Sequence, residues 1–187
     1  VKARAVPTAG RRMHDHPIPR MGGLAIFLGF LLSVLLFLEL NPQMRGMLLG
    51  AVIIVVLGIF DDIYSLRAMF KFVVQIVAAL VAVLSGNVIE AVSNPNVFSS
   101  DLYWELGWLA IPVTVIWIVA ITNAVNLIDG LDGLACGVST ISSMTLLVIA
   151  LVASEPNVAI LMAALAGGCL GFLPYNMNPA KIFMGDP

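Results

Sequence analysis

The chain has 187 residues, of which 60% are hydrophobic and 11% charged, and its formal net charge is −2. Soluble domains carry about 25% charged residues, so this composition excludes an ordinary water-soluble surface and predicts an integral membrane protein. The small negative net charge gives no basic surface for nucleic acid, and we expect no nucleic-acid partner. Cys136 and Cys169 lie in apolar segments, where we expect buried free thiols rather than a disulfide.

Six apolar segments are long enough to cross a bilayer, which takes roughly 20 helical residues. Only helices and closed barrels satisfy their own backbone groups in lipid, and segments this uniformly apolar are helices. The sequence therefore predicts an all-α, polytopic transmembrane helical bundle. The predicted spans cover residues 22–40, 44–60, 68–84, 106–125, 134–153 and 157–174. Residues 85–105 are predicted to be an external loop, and Gly167 and Gly171 predict a close helix approach in the last span.

Basic residues predict the orientation, because cytoplasmic loops carry an excess of Lys and Arg. Six spans place both ends of the chain on one side, and eight of the nine basic residues fall on that side. Arg45 alone falls on the other, so the first side is predicted to be cytoplasmic. Most aspartates of this side lie at the ends of apolar helices, where a charge is costly unless it is paired or functional.

Two adjacent aspartates, Asp61 and Asp62, end the second span. A carboxylate pair at the membrane surface suits a base or a metal partner. The structural alternative is a polar helix end that pairs with Arg67 or Lys71. Lys71, near the start of the third span, is either a lysine that reaches the interface or a phosphate partner.

Polar residues recur every third position in the Asn-Asp segment (residues 123–135), at Asn123, Asn126, Asp129 and Asp132. Asn123 and Asn126 share a helix face, and the glycines that follow let the backbone approach a ligand. Four oxygen-bearing side chains at a membrane helix end suit a hard cation or polar substrate hydroxyls. A hydrophilic turn is the structural alternative.

Two further segments flank the spans on the same side. The C-terminal segment (residues 174–186) follows the sixth span, and its spacing alone does not separate a functional role from a plain loop. The N-terminal segment (residues 14–23) contains His14 and His16, for which exposed loop positions are favoured over a metal site, and Arg20, which is an anchor or a phosphate contact. Together with Lys71 and Lys181, these clusters predict metal-dependent phosphoryl chemistry at a membrane surface.

These residues resemble the polyprenyl-phosphate N-acetylhexosamine-1-phosphate transferase family. The matching pieces are residues 16–23, the Asp61-Asp62 pair, residues 123–135 and residues 178–186, in the same order along nearly the whole chain. The resemblance implies that a polyprenyl phosphate attacks the β-phosphate of a UDP-linked amino sugar at the cytoplasmic face of a bacterial plasma membrane. UMP would leave, with Mg²⁺ as the cofactor and Mn²⁺ as an alternative, and a homodimer is left open.

The resemblance also implies a role for each matching position. It assigns the catalytic carboxylates to Asp61 and Asp62, and the metal ligands to Asn126 and Asp186. It assigns substrate binding to Lys71, Asn123, Asp129, Asp132, Asn176 and Phe183. Within that set Lys71 would contact phosphate, and Phe183 would stack on uracil.

Two branches of the family use different donors. The branch that uses UDP-N-acetylmuramoyl-pentapeptide usually carries Thr-Pro-Thr-Met-Gly-Gly, whereas this chain has Ile18-Pro-Arg20-Met-Gly-Gly. That segment resembles the branch that uses UDP-N-acetylglucosamine and undecaprenyl phosphate to start cell-wall or surface glycans. A cation-coupled transporter is the rival from another class, but its acids would lie near mid-membrane. We expect residues 1–187 to form one transmembrane catalytic domain of a longer protein, truncated at both ends.

Overall fold

The computed structural model describes residues 21–95 and 102–185. In these ranges it contains six α-helices: α1 (Gly22–Phe37), α2 (Pro42–Tyr64), α3 (Ala68–Leu84), α4 (Ala110–Ile128), α5 (Leu134–Val152) and α6 (Pro156–Asn176). Four of the described helices are long and apolar enough to cross a membrane, and α1 and α3 are shorter apolar helices. The predicted all-α, polytopic helical bundle is therefore confirmed.

Prolines mark the starts of α2 and α6, and an asparagine caps α2. α2 begins at Pro42, where the Asn41 side chain accepts a hydrogen bond from the Met44 N–H at 2.7 Å and caps the helix. α6 begins at Pro156, where a missing N–H costs nothing because the first turn has no intrahelical acceptor. α6 runs past Pro174 to Asn176, two residues beyond the predicted end at residue 174.

The connection between α3 and α4 contains a β-hairpin that the sequence did not predict. Strands β1 (Ala91–Ser93) and β2 (Tyr103–Glu105) pair in antiparallel fashion. Strands of three residues are too short for an alternating pattern to be read from sequence. The Ile89 N–H donates to Thr114 Oγ1 at 2.9 Å, which ties the chain two residues before the hairpin to α4.

The chain divides into two compact units, each of which is described by itself. Unit 1 holds the described parts of Val1–Glu39, Val55–Leu66 and Val125–Pro187. Unit 2 holds the described parts of Leu40–Ile54 and Arg67–Ala124.

Helix α6 is central in unit 1, because it packs against both α5 and α1. The buried core here consists of Ile26 from α1, Cys136 from α5, and Cys169 and Phe172 from α6. Both cysteines are free and buried, as predicted, and the Cys136 thiol donates to the Cys169 carbonyl at 3.3 Å. The thiols are therefore part of the helix packing.

Close approach between α1 and α6 depends on Gly168. A Cβ at this position would lie 3.3 Å from both the Ile26 side chain and the Ile26 carbonyl oxygen. The prediction of a close helix approach at Gly167 and Gly171 was wrong for the described residues, since none lies within 4 Å of a Cβ at either position. One residue along a helix rotates a side chain by about 100°, which turns Gly167 away from the contact at Gly168.

In unit 2, two glycines of α2 let α3 approach closely. A Cβ at Gly50 would lie 2.9 Å from the Ala78 carbonyl oxygen, and a Cβ at Gly46 would overlap the Ser85 side chain. Two small residues four apart are a common contact surface between membrane helices. These positions therefore fix the packing of the first half of α2 against the helix that carries Lys71.

Candidate active site

The last two residues of the N-terminal segment, Gly22 and Gly23, meet the C-terminal segment at the start of α1. The backbone N–H groups of Gly22 and Gly23 donate to the carbonyls of Phe183 and Met184 at 3.1 and 2.7 Å. The first N–H groups of a helix have no partner within it, so the segment after α6 satisfies two of them. A Cβ at Gly22 would overlap the Phe172 ring, so this helix start also depends on glycine.

The Asn-Asp segment joins the same end of unit 1. The Gly133 N–H donates to Asn176 Oδ1 at 3.1 Å, and the Ala180 N–H donates to Asp132 Oδ2 at 3.0 Å. Gly133 has a φ of +75°, a left-handed conformation that glycine adopts without strain. Hydrogen bonds thus join the described residues of three predicted segments, and the two connecting side chains, those of Asp132 and Asn176, belong to predicted site residues.

Asn176 is the most deeply buried of the described site residues, with 2% of its surface exposed. In addition to its bond with Gly133, its Nδ2 donates to the Ile182 carbonyl at 3.0 Å. Both ends of the amide are therefore used to hold the segment that carries Phe183. These bonds give Asn176 a definite structural role, and its assignment to substrate binding stays a prediction.

Asp61 closes the end of α2. One of its carboxylate oxygens accepts the Leu66 N–H at 2.7 Å, and its carbonyl accepts the Ser65 N–H at 2.7 Å. Ser65 has a φ of +50°, which turns the chain out of the helix. Asp61 is 6% exposed and Asp62 is half-buried, so the pair lies at a buried helix end in unit 1.

Unit 2 contains a side-chain pair that the sequence analysis missed. The Asn123 side chain on α4 donates to Gln75 Oε1 on α3 at 2.7 Å. Gln75 is 8% exposed and lies four residues after Lys71, so the two share one face of α3. The signal was present in the sequence, because an amide within an apolar membrane helix is rarely there for packing.

The other predicted residues fall into three groups. Unit 1 contains Asn126, Asp129 and Phe183. Asn126 is exposed in the last turn of α4. Its carbonyl accepts a hydrogen bond from the Asp129 N–H at 3.3 Å. Lys71 and Asn123 belong to unit 2 and are half-buried. Outside the described residues lie Asp186, Arg20, His14 and His16.

Oxygen ligands of the kind that Mg²⁺ prefers are present near the end of α4. In the described part of the chain, no three His, Cys, Asp or Glu residues are grouped as a metal site. Mg²⁺ needs only one or two protein carboxylates, and the exposed Asn126 amide with the nearby Asp129 fits that donor chemistry. The pairing of Asn126 with Asp186 stays a prediction.

The fold and the joined segments define a multi-pass membrane protein whose polar clusters gather at one end of a helical unit. The family model of Glycosyl transferase family 4 matches residues 44–187. The chain belongs to this family, which confirms the resemblance that the motifs indicated.

Similar proteins occur in several bacteria. A probable undecaprenyl-phosphate N-acetylglucosaminyl 1-phosphate transferase of Bacillus subtilis (strain 168) is 48% identical over 95% of this chain and 49% of its own length. A decaprenyl-phosphate N-acetylglucosaminephosphotransferase of Mycobacterium leprae (strain TN) is 38% identical over 94% of this chain and 48% of its own length.

A phospho-N-acetylmuramoyl-pentapeptide-transferase of Caldicellulosiruptor bescii is 36% identical over 90% of this chain and 55% of its own length. The chain therefore spans about half the length of these curated relatives.

Proposed function

We propose that the protein to which this chain belongs transfers N-acetylglucosamine-1-phosphate from UDP-N-acetylglucosamine to undecaprenyl phosphate and releases UMP. The observation that carries the proposal is the set of hydrogen bonds that join the Asn-Asp segment, the C-terminal segment and the start of α1 at one end of unit 1. The names of the Bacillus and Mycobacterium relatives, which combine N-acetylglucosamine with a polyprenyl phosphate, support the same substrate pair.

In the proposed reaction, an oxygen of the lipid phosphate attacks the β-phosphorus of the donor. The bond from that phosphorus to the bridging oxygen breaks, and UMP leaves with the bridging oxygen. Catalysis of phosphoryl transfer is mostly positioning and charge stabilisation. In this scheme Lys71 stabilises negative charge on the phosphates, and Asp61 or Asp62 holds the proton of the attacking lipid phosphate or orients that phosphate.

The other assigned residues would hold the donor. Asn126 and Asp186 would hold Mg²⁺, or Mn²⁺ in its place, which supplies positive charge against the diphosphate when bound. The nucleotide and sugar would lie against Asn123, Asp129, Asp132, Asn176 and Phe183. The end of unit 1 would then face the cytoplasm, where UDP-sugars are available.

One observation favours a second donor, UDP-N-acetylmuramoyl-pentapeptide. The Caldicellulosiruptor relative is named for that sugar and is 36% identical to this chain. The N-acetylglucosamine donor is preferred, because the Ile18-Pro-Arg20 segment resembles that branch and the Bacillus relative is 48% identical.

The proposal is tested with the intact protein in membranes that contain undecaprenyl phosphate and Mg²⁺. UMP release is measured with each of the two UDP-sugars, and Asp186→Ala serves as the inactive control. We expect UMP release from UDP-N-acetylglucosamine that depends on the lipid. Release from the muramoyl donor alone would support the second function, and cation uptake into vesicles without UMP release would support a transporter.

A further inference from the structure

The amide of Asn123 is held by two acceptors. Its Nδ2 donates to Gln75 Oε1 at 2.7 Å and to the Val119 carbonyl at 2.8 Å. A side-chain amide nitrogen has two hydrogens, so both are committed and the plane of the amide is fixed. The oxygen Oδ1 is then the atom that Asn123 offers to a ligand.

Gln75 is a buried polar residue within the apolar helix α3. Lys71 and Gln75 are the polar side chains of α3, and all other residues of this helix are apolar. Burying an amide in an apolar environment costs free energy that its hydrogen bonds only offset, and an aliphatic side chain would pack there without that cost. A buried polar residue within a membrane helix indicates a functional constraint.

The bond between Gln75 and Asn123 also connects two helix turns that carry predicted site residues. Gln75 lies one turn after Lys71 on α3. Asn123 lies three residues before Asn126 on α4, on a shared face. Within unit 2, the pair therefore links the turn of α3 that follows Lys71 to the turn of α4 that carries Asn123.

We infer that Gln75 is a positioning residue, which orients the Asn123 amide so that its oxygen faces the bound UDP-sugar. The inference rests on the proposed function, because that function assigns Asn123 to substrate binding. An amide oxygen accepts hydrogen bonds, and phosphate oxygens do the same. The Asn123 Oδ1 therefore cannot form a hydrogen bond with the diphosphate. Its partner on the donor must be a hydroxyl or an N–H group of the sugar or the nucleoside.

A residue that only holds α3 against α4 would give a different result from a positioning residue. Loss of packing would lower the stability of the protein and would affect both substrates. Loss of positioning would raise KM or lower kcat for the UDP-sugar and leave KM for undecaprenyl phosphate unchanged. If Gln75 acts only by positioning Asn123, replacing Gln75 in a variant that already lacks the Asn123 side chain would not lower kcat/KM any further.

The test uses the intact protein as wild type, Gln75→Met, Asn123→Ala and the double variant. Methionine keeps the length of glutamine without the acceptor oxygen. We expect Gln75→Met to lower kcat/KM for the UDP-sugar by about 10–100-fold, the usual effect of removing a residue that orients a ligand-binding group. In the Asn123→Ala background, Gln75→Met is expected to cause no further loss.

Gln43→Met is the matched control. Gln43 is the other glutamine of the chain, is exposed, and its Nε2 donates to the Gly86 carbonyl at 3.4 Å. We expect wild-type kcat/KM for this variant. If Gln75→Met does not fold, Gln75→Glu keeps an acceptor oxygen: near wild-type activity supports the inference, and a loss equal to that of Asn123→Ala overturns it.

The inference would be overturned if the losses of kcat/KM in the two single variants multiplied in the double variant, or if kcat/KM were unchanged in Gln75→Met. Either result would leave the proposed function standing. If the wild-type protein shows no lipid-dependent UMP release, the proposed function fails and the inference fails with it. The two failures are therefore distinguished by the wild-type measurement.

Discussion

Asn176 connects two parts of the joined end of unit 1. It bonds to the Gly133 N–H and the Ile182 carbonyl, and it is almost fully buried. A buried amide with both ends used holds one loop conformation, because any other leaves an unsatisfied polar group. The position of the segment around Phe183 therefore depends on this side chain.

Replacing Asn176 with Leu should lower stability sharply. The change leaves the Gly133 N–H and the Ile182 carbonyl without partners, and each unsatisfied group costs about 1–3 kcal/mol. The free energy of unfolding is measured in detergent micelles, with Asn178→Ala, an exposed asparagine of the same segment, as the control. Equal stability of the two variants would contradict the role given to Asn176.

Asp61 allows its structural role and its proposed chemical role to be separated. Asp61→Asn keeps an oxygen that accepts the Leu66 N–H, so the end of α2 and the stability should be preserved. The negative charge is lost, and we expect turnover to fall about 100-fold or more, as for a group that handles a proton. Asp61→Ala should lose both turnover and stability. Wild-type turnover in Asp61→Asn would show that its charge is not needed.

The sequence supplied candidate site residues, whose roles stay predictions, but it did not predict the hydrogen bonds that hold them. The polar residues of the Asn-Asp segment were selected because their spacing and composition are unusual within an apolar chain. Gln75 was missed because a single amide forms no pattern by itself. The bonds from Gly22 and Gly23 to the C-terminal segment were also missed, because main-chain groups are the same in every residue.

At the scale of helices, the contact between α2 and α3 is sensitive to side-chain size. We expect Gly50→Val to lower stability by about 1–3 kcal/mol, because its side chain would be forced against the Ala78 carbonyl. Gly29→Val is the control, since none of the described atoms lies within 4 Å of a Cβ at that position. Thermal unfolding in detergent compares the two. A Gly50 variant as stable as the control would contradict this packing.

Hydropathy predicted the helices well, since uniformly apolar segments in lipid have one solution for their backbone hydrogen bonds. It did not predict features that depend on a single residue or a short stretch. The β-hairpin has strands of three residues, and α6 continues past Pro174 because a proline in the last turn disturbs few hydrogen bonds. The α1–α6 contact at Gly168 depends on helix rotation, which a glycine count does not give.

For the whole molecule, the distribution of basic residues predicts the orientation. The native thiols of Cys136 and Cys169 are buried, so single exposed cysteines can be labelled with little background. We expect Ser93→Cys in the hairpin to react with a membrane-impermeant maleimide from outside the cell. Asn178→Cys should react only after the membrane is opened. The reverse pattern would place the candidate active site outside and contradict the predicted orientation.

The central claim is that the protein moves a sugar together with one phosphate. A donor labelled with ³²P at the β-phosphorus of UDP-N-acetylglucosamine tests it most directly, with undecaprenyl phosphate as the acceptor and the intact protein as the enzyme. The account predicts that the label enters the lipid product and that unlabelled UMP is released. Label that remains on UDP would mean transfer of the sugar alone and would contradict the account.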